Sequence, residues 1–328
     1  MSITKHLVQN VLEKPEYAPT RDGFGEGLLE LGEKDPRVVA LCADLSESTR
    51  MLAFKEKYPQ RFIEVGVAEQ NLATLASGLA NYGKIPFIAS YAAFSPGRNN
   101  EQIRTTISLN NVPVKIVGSH AGLSVGPDGA THQALEDIAL MRVQPNMTVL
   151  SPCDKEEARK ATLAAAAHPG PVYIRLAREK TPIITTADSQ FEIGKATQLW
   201  SGDNPQVVIF ATGPLVHNAL VAARALASEI SVTVINIHTI KPLDESTIVA
   251  AAKQAGAVVT VEEHQVAGGL GSAIAEVLAR QYSVPVEFVG VHNRFGQSGE
   301  SVELWREYKL DALSIQAAIR AVFARKLT

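Results

Sequence analysis

The chain has 328 residues, which at roughly 150 residues per domain predicts about two domains. Lys plus Arg total 31 and Asp plus Glu total 34, a formal net charge of −3, and no region is strongly basic. These values exclude a protein that binds nucleic acid through phosphate attraction. Two cysteines exclude a disulfide framework and a four-cysteine zinc site. We expect a cytoplasmic protein without signal peptide or membrane span, because the N-terminal segment has no apolar core and charges interrupt the apolar stretches.

Short β-branched runs alternate with helical patterns through the first half of the chain. The predicted strands are 37–42, 61–65, 85–90, 113–118, 147–151 and 171–175. The clearest predicted helix is 69–82, because Leu72, Leu75, Ala76, Leu79 and Ala80 repeat with the helical period. The strands are almost continuously apolar, which is typical of a parallel sheet with helices on both faces.

The segment 179–206 is rich in turn-forming residues and interrupts this alternation. Alternation then resumes with strands at 206–212, 231–237, 257–261 and 286–291 and helices at 215–228, 244–255, 270–281, 301–308 and 312–325. We therefore expect an α/β protein with two domains, each a mainly parallel sheet covered by helices. The expected boundaries are 1–185 for the first domain, 186–205 for the linker and 206–328 for the second domain.

Polar and aromatic residues follow several of the first-half strands. They are Asp44, Glu69, Tyr91, Phe94, His120 and Arg178. Ligands bind beyond the carboxyl ends of strands in open α/β sheets, so we expect these side chains to converge on one rim. A rim of rings, a carboxylate and arginines would suit a flat aromatic ligand and an anion. Each residue also has a structural interpretation, since a glutamate at a helix start is often a cap and paired aromatics often belong to a core.

Two glycine-containing segments are candidate ligand loops. The GGLG sequence at 268–271 could hold a phosphate at a helix start, but helix–strand packing is the favoured interpretation, since the spaced dinucleotide fingerprint is missing. The segment 124–133 (SVGPDGATHQ) is the stronger candidate. It ends in polar side chains with no core to fill, and loops on a rigid sheet are where function concentrates.

Four motifs together resemble the thiamine diphosphate enzymes of the transketolase group. They are EVGVAEQNL (64–72), SYAAF (90–94), GPDGATHQ (126–133) and RLAREKTP (175–182). The resemblance covers nearly the whole chain, but only the pyrimidine-binding and C-terminal domains of that group. The GDG motif and downstream Asn that hold the diphosphate through Mg²⁺ do not occur. The resemblance therefore implies the C-terminal subunit of a transketolase that is split into two chains.

This resemblance implies roles for the cofactor-binding residues. The family's glutamate, matching Glu69, hydrogen-bonds the aminopyrimidine ring and promotes loss of the thiazolium C2 proton. Tyr91 and Phe94 match aromatic residues that pack on the pyrimidine, and Asp44 matches an acidic position beside the cofactor at the subunit interface. A third aromatic residue of many family members would fall at Gly97, which is a departure from the pattern. Mg²⁺ (or Ca²⁺) would be held by ligands from the partner subunit.

The resemblance also implies a substrate channel lined by His120, Asp128 and His132. Asp128 would bind the acceptor's C2 hydroxyl, and His132 would contact the donor and assist proton movement; with Glu69, the two histidines are the expected catalytic residues. Arg21 and Arg178 match arginines that hold the terminal phosphate, as a planar charged fork can. A serine usual beside them is Cys42 here. His264 and Ser298 match landmarks expected to be structural or interfacial.

The implied activity is transfer of a two-carbon ketol unit from a ketose phosphate to an aldose phosphate. The alternatives are a split 1-deoxyxylulose-5-phosphate synthase, a β subunit of a 2-oxo-acid dehydrogenase, or a non-catalytic assembly subunit of this fold. The paired histidines favour ketol transfer, the presence of Glu69 speaks against a non-catalytic subunit, and Cys42 leaves branched or sulfonated sugars open as substrates. The expected partner is an N-terminal transketolase subunit, with self-association into a homodimer and an α2β2 assembly.

Overall fold

A computed structural model describes residues 2–3 and 6–326 of the chain. Its strands are β1 (Ser2–Ile3), β2 (Tyr17–Pro19), β3 (Val38–Cys42), β4 (Phe62–Glu64), β5 (Ile85–Tyr91), β6 (Lys115–Ser119), β7 (Thr148–Leu150), β8 (Val172–Arg175), β9 (Lys180–Pro182), β10 (Thr197–Ser201), β11 (Val207–Ala211), β12 (Val232–Asn236), β13 (Thr239–Lys241), β14 (Val258–Gln265) and β15 (Val286–Val291). Its α-helices are α1 (Thr20–Lys34), α2 (Leu52–Lys57), α3 (Glu69–Asn81), α4 (Asn100–Gln102), α5 (Asp137–Arg142), α6 (Lys155–Ala167), α7 (Val216–Ala225), α8 (Glu245–Ala255), α9 (Leu270–Gln281), α10 (Ser301–Glu307) and α11 (Ala312–Lys326). In the part of the chain so described, no helix is long and apolar enough to cross a membrane.

Seven strands form the sheet of the first half, in the order β13-β7-β8-β6-β5-β3-β4. Six of them run parallel, and β13 joins the edge antiparallel to β7. Successive residues of β3 point to opposite faces, as a strand requires. Val39 and Leu41 pack with α3, whereas Val38 and Ala40 pack with α1 and α6. Burial on both faces explains why the first-half strands read as continuous apolar runs.

Helix α3 buries the face that the sequence predicts. Leu72, Ala76 and Ala80 are buried against the sheet, and Ala73 extends the same face. Glu69 is the first residue of this helix, directly after the turn that follows β4. The helix therefore carries its first carboxyl group to the edge where the parallel strands end.

Six strands form the second sheet, in the order β1-β10-β12-β11-β14-β15. The four strands β12, β11, β14 and β15 are parallel, and β10 and β1 extend the edge antiparallel. Helices α7 and α11 pack on one face and α8 and α9 on the other. The expectation of an α/β protein with two mainly parallel, helix-covered sheets is confirmed.

Two short strands exchange between the halves of the chain. β1 pairs with β10 in the second sheet, and β13 leaves the second half to pair with β7 in the first sheet. β10 itself lies inside the range 186–205 that the sequence predicts as a linker. The halves are therefore joined by strand pairing as well as by side-chain packing.

Candidate active site

The carboxyl ends of β5 and β6 lie side by side and present a group of flat rings. Tyr91 ends β5 and His120 follows β6; their rings stack with centroids 3.8 Å apart and planes 23° apart. Phe94, in the turn after β5, stacks on Tyr91 with a centroid distance of 6.0 Å and an angle of 16°. His132 meets both edge-on, with its centroid 6.1 Å from Tyr91 and 5.3 Å from Phe94. The structure thus brings four of the predicted site residues into one cluster, the ring cluster.

His120 is buried in this cluster and uncharged. Burial, together with the charges of Arg21 and Arg178, lowers the pKa of His120 to about 3. Its Nε2 lies 3.3 Å from Arg21 Nη1, and its Nδ1 lies 2.8 Å from Ser119 Oγ. An arginine can only donate, so Nε2 must accept and Nδ1 must carry the proton that is donated to Ser119. The contact with Arg21 therefore sets the tautomer of His120.

Glu69 is buried beside the ring cluster and is paired with a residue that the sequence analysis did not single out. Its carboxyl group is 2% exposed, and Oε2 accepts a hydrogen bond of 2.9 Å from Arg98 Nη1. The Arg98 guanidinium also lies 5.1 Å from the centre of the Phe94 ring. Asn99 donates to the Glu69 backbone carbonyl at 2.9 Å. The sequence signal for Arg98 is its place four residues after Phe94, in the same turn that follows β5.

Arg178 joins the loop that carries Asp128. Its Nη1 donates to Val125 O at 2.7 Å and lies 3.5 Å from Asp128 Oδ1, and its Nε lies 3.7 Å from Glu179 Oε1. The side chain of Arg178 is half-buried, so part of its guanidinium group remains accessible to solvent. The structure thus places Arg178 and Asp128 close together, as expected for two residues of one site. Without a ligand they contact each other.

Arg21, on α1, lies next to His120 of the ring cluster. Its Nη1 donates to Ser48 O at 2.8 Å, whereas its buried Nε has no hydrogen-bond partner among the described residues. Burial and the like charge of Arg50 lower the pKa of Arg21, although a guanidinium keeps its charge in proteins. Arg50 is itself paired with Asp22 at 2.7 Å. The region next to His120 therefore has more donor capacity than the protein uses, which suits an anion.

Asp44 lies at the same edge of the sheet, after β3, but on its outer part. It is exposed and has a left-handed backbone, with φ at 58°. Its backbone N–H donates to Glu64 Oε1 at 2.7 Å, so Asp44 contacts the end of β4. The structure shows no hydrogen bond between Asp44 and the ring cluster. In residues 2–3 and 6–326, no group of three or more His, Cys, Asp or Glu side chains is placed to hold a metal ion.

Gly97 departs from the family pattern because the backbone leaves no room for a side chain. A Cβ at this position would lie 2.1 Å from Ala93 O, and the Gly97 N–H donates to Ala92 O at 3.2 Å. The turn after β5 is thus folded tightly on itself. A third aromatic residue cannot occupy this position without a different turn.

Cys42, the last residue of β3, is a core residue of the first domain. It is fully buried in the core formed by α1, α6 and the first sheet, and its Sγ lies 3.8 Å from Thr49 Oγ1. Burial raises the pKa of the Cys42 thiol to about 11, so the thiol is neutral. Among the described residues the Cys42 thiol has no hydrogen bond with Arg21 or Arg178, and its side chain belongs to the core.

The glycine motif at 268–271 serves packing, as the favoured interpretation predicts. The buried carboxylate of Glu262 accepts hydrogen bonds from the backbone N–H groups of Leu270 at 2.7 Å and Gly271 at 2.8 Å. A Cβ at Gly269 would lie 1.9 Å from Glu262 Oε2. The glycines therefore let a strand carboxylate occupy the start of α9, which leaves no place for a phosphate.

The two C-terminal landmarks have the structural or interfacial positions that were expected. His264 is fully buried at the end of β14, with Nδ1 2.6 Å from Gln265 O, and burial lowers its pKa to about 4. Ser298 Oγ donates to Pro127 O at 2.7 Å and so connects the second half to the loop of Asp128. Neither residue touches the ring cluster.

Comparison with known proteins identifies both halves of the chain. Residues 16–183 match the transketolase pyrimidine-binding domain, and residues 194–315 match the transketolase C-terminal domain. A putative transketolase C-terminal section from Methanocaldococcus jannaschii is 43% identical over 307 residues, covering 92% of this chain and 96% of the relative. A 6-deoxy-6-sulfo-D-fructose transketolase subunit from Clostridium sp. strain MSTE9 is 42% identical over 307 residues, covering 93% and 95%.

A solved structure shows the same fold. It is described as a split-gene transketolase, inactive beta4 tetramer; it superposes with a TM-score of 0.88 and 44% identity, covering 94% of this chain and 99% of that one. Both domains, their order and nearly the full length of these relatives are thus present. The chain belongs to the transketolase family, and its relatives over the full length are the C-terminal sections of split transketolases.

Proposed function

We propose that this chain is the C-terminal subunit of a split transketolase. It transfers a two-carbon ketol unit from a ketose phosphate to an aldose phosphate, with thiamine diphosphate as cofactor and together with a separate N-terminal subunit. The observation that carries the proposal is the chain of contacts that links a carboxyl group, the ring cluster and an arginine. Arg98 connects the Glu69 carboxyl group to Phe94 of the ring cluster, Arg21 lies beside His120, and Arg178 lies beside Asp128.

The residues at one end of this chain of contacts fit the pyrimidine part of the cofactor. Tyr91 and Phe94 offer ring faces to a flat heterocycle, and Glu69 offers a carboxyl group shielded from water. When bound, thiamine diphosphate supplies a carbon nucleophile and an electron sink. In this proposal Glu69 holds a ring nitrogen of the pyrimidine and shifts its protonation, and Asp44 stands beside the cofactor at the subunit interface. Arg98 then exchanges its contact with Glu69 for another partner.

The residues between the two ends line the sugar channel. Because His120 is neutral and hydrogen-bonded on both nitrogens, its role is to orient the substrate and Arg21. His132 is less buried and can exchange a proton with the substrate, as general acid–base catalysis requires. Asp128, at the exposed tip of its loop, accepts a hydrogen bond from an acceptor hydroxyl. The catalytic residues of this proposal are Glu69, His132 and His120.

Arg21 and Arg178 bind the terminal anion of the sugar. The unpartnered Nε of Arg21 and the half-exposed guanidinium of Arg178 are donors that a tetrahedral oxyanion can take. A phosphate and a sulfonate share this chemistry, and the Clostridium relative is named for a sulfonated sugar. Sugars that carry a terminal phosphate are the proposed substrates, and the sulfonated analogue is the comparison that tests this choice.

The partner supplies the diphosphate end of the site. The family's GDG motif and downstream Asn do not occur in this sequence, so we assign the ligands of Mg²⁺ (or Ca²⁺) to the N-terminal subunit. In this proposal two copies of this chain (the β subunit) associate with each other and with two N-terminal subunits (the α subunit), which gives an α2β2 assembly. The related tetramer of β subunits, described as inactive, supports both self-association and dependence on a partner.

The Glu69→Gln variant tests this assignment in the assembled enzyme. The amide keeps the size of the side chain but cannot act as a carboxylate, so we expect turnover to fall by about a thousandfold or more. The matched control is Glu229→Gln, an exposed carboxyl group paired with Arg320 on the second domain, which should keep wild-type activity. If Glu69→Gln keeps more than about a tenth of the wild-type kcat, a barrier change below about 1.4 kcal/mol, then Glu69 does not have this role.

A further inference from the structure

The loop that carries Asp128 and His132 is contacted by residues of the second domain. This loop, residues 123–133, begins with an irregular helical turn over Leu123–Asp128 and contains two glycines with positive φ, Gly126 at 75° and Gly129 at 74°. It is not paired along its length with the strands of the first sheet. Its position therefore depends on the contacts that reach it from elsewhere in the chain.

The central contact is the carboxyl group of Glu263, on β14 of the second sheet. Glu263 is 1% exposed; its Oε1 accepts from the Ser124 backbone N–H at 2.6 Å, and its Oε2 accepts from Ser124 Oγ at 3.2 Å. Trp305 Nε1, on α10, donates to the same Oε1 at 2.8 Å. A Cβ at Gly122 would lie 2.5 Å from Glu263 Cδ, so the chain must be glycine where it passes this carboxyl group. Glu263 therefore fixes the first residues of the loop.

Further hydrogen bonds from the second domain reach the rest of the loop. Ser301 Oγ donates to Ser124 O at 3.1 Å, and Ser298 Oγ donates to Pro127 O, next to Asp128. Gln133 Nε2 lies 2.9 Å from Gln297 O, and its two N–H donors are shared between this carbonyl and two carbonyls of its own loop. The segment 297–305 of the second domain thus contacts the loop at its start, its tip and its end, in addition to the hydrogen bond that Arg178 of the first domain donates to Val125 O.

The Glu263 contact is in turn supported by a buried charge that joins the two sheets. Arg175, on β8, donates from Nη2 to Glu263 O at 2.8 Å and from Nε to Asp137 Oδ2 at 2.9 Å. Tyr173 OH donates to the same Asp137 oxygen at 2.7 Å. Separating a buried ion pair is strongly destabilising, because it leaves a buried charge without compensation. Arg175 and Asp137 are therefore expected to stay paired. The position of β14 relative to the first sheet is therefore well defined.

We propose that Glu263, together with Trp305, is a positioning residue for the substrate loop, and that the second domain serves the reaction by holding Asp128 and His132 in place. The proposal rests on the proposed function only for the roles of those two residues. Catalysis is sensitive to displacements of about 1 Å, and a loop with two left-handed glycines has little rigidity of its own. An anchor under the loop therefore determines how well the substrate is aligned.

Hydrogen exchange on the isolated chain tests the anchor independently of activity. In Glu263→Ala we expect exchange of the amides in 123–133 to rise by about tenfold or more, whereas Val207–Ala211 in the same sheet as Glu263 stay protected. Glu263→Gln should restore protection, because its amide oxygen can still accept from Ser124 and Trp305. Uniform exchange across the second sheet, or an unchanged loop, would overturn the proposal.

Activity of the assembled enzyme tests the consequence. Trp305→Phe removes one hydrogen bond to Glu263 and keeps most of the ring, so it remains available if Glu263→Ala does not fold. We expect it to lower kcat/KM for the acceptor by about tenfold, with loosened exchange in 123–133. The matched control is Trp200→Phe, since Trp200 is a buried tryptophan of the same domain whose Nε1 has no hydrogen-bond partner in the part of the chain that the structure describes. Wild-type kcat/KM in a Trp305→Phe enzyme with a loosened loop would refute the proposal, whereas an inactive wild-type assembly would refute only the proposed function.

Discussion

Two carboxyl groups at the rim are each compensated by an arginine, which explains how they are kept in place without a ligand. Glu69 is paired with Arg98, and Asp128 with Arg178. An arginine has five N–H donors, so it can give one contact to a ligand and keep others. Arg178 can release Asp128 while it still holds Val125 O, which leaves the loop in place when an anion arrives.

Replacing Arg178 tests the anion end of the site. In the assembled enzyme, Arg178→Ala should raise KM far more for glyceraldehyde 3-phosphate than for glycolaldehyde, because a charge-assisted hydrogen bond contributes about 1.5–3 kcal/mol. A sulfonated aldose, run as a third acceptor, shows whether the site distinguishes the two oxyanions. Arg320→Ala, at an exposed ion pair with Glu229, is the control and should change no KM. Equal effects of Arg178→Ala on all acceptors would show that this arginine grips no terminal anion.

At the level of elements, the turn after β5 places both Phe94 and Arg98. The Gly97 backbone is packed against the Ala93 carbonyl, so a methyl group there must push the turn open. We expect Gly97→Ala to destabilise the chain by about 1–3 kcal/mol, the usual cost of overpacking. Gly78→Ala is the control, because Gly78 lies in α3 with no atom within 4 Å of an added Cβ, and it should stabilise by about 0.5–1 kcal/mol. Urea unfolding of both variants measures the difference; equal stabilities would mean that the turn is not tight.

Strands that are apolar throughout and helices that bury one apolar face were predictable, whereas elements that depend on distant partners were not. The strand predicted at 85–90 is found at Ile85–Tyr91, and the helix predicted at 69–82 is found at Glu69–Asn81, because their apolar patterns alone define them. β14 continues to Gln265, beyond the predicted end at 261. The apolar pattern stops at Glu262 and Glu263, which are charged in sequence but are buried with hydrogen-bond partners in the structure. β13 has three residues, too few to show a period.

The same distinction holds for the site. Strand order places Tyr91 and His120 at one edge, so their meeting could be predicted from the topology of parallel strands. The hydrogen bond between Ser124 and Glu263 joins residues that are 139 positions apart, and no local sequence pattern predicts it. Cys42 takes the place of a serine of the family, and sequence matching alone does not show that its side chain is buried in the core.

At the level of the whole molecule, the two halves meet through buried polar groups that respond to pH. His238 lies between β12 and β13, buried, with its ring stacked 4.2 Å from Phe191 and its Nδ1 2.9 Å from Thr239 Oγ1. Burial lowers the pKa of His238 to about 4, whereas an unfolded histidine has a pKa of about 6.5. Below pH 6.5 the unfolded chain therefore binds a proton that the folded chain refuses, and stability is lost as the pH falls toward 4.

His238→Asn should weaken this pH dependence. The wild-type free energy of unfolding should fall between pH 7 and pH 5, with about 2 kcal/mol of the loss due to this one group. We expect the variant to be less stable at pH 7 but to lose about that much less over the same interval. Urea unfolding at the two pH values measures this; a variant with the wild-type pH slope would show that His238 is not the responsible group.

The central claim is that this chain provides half of a ketol-transfer site and needs an N-terminal subunit to complete it. The measurement is ketol transfer by the purified chain with Mg²⁺ and thiamine diphosphate, before and after an N-terminal transketolase subunit is added. We predict no turnover from the chain alone and turnover with a ketose phosphate donor once the partner is present. Full activity from this chain alone, or an assembled complex that accepts only a 2-oxo acid as donor, would contradict the account.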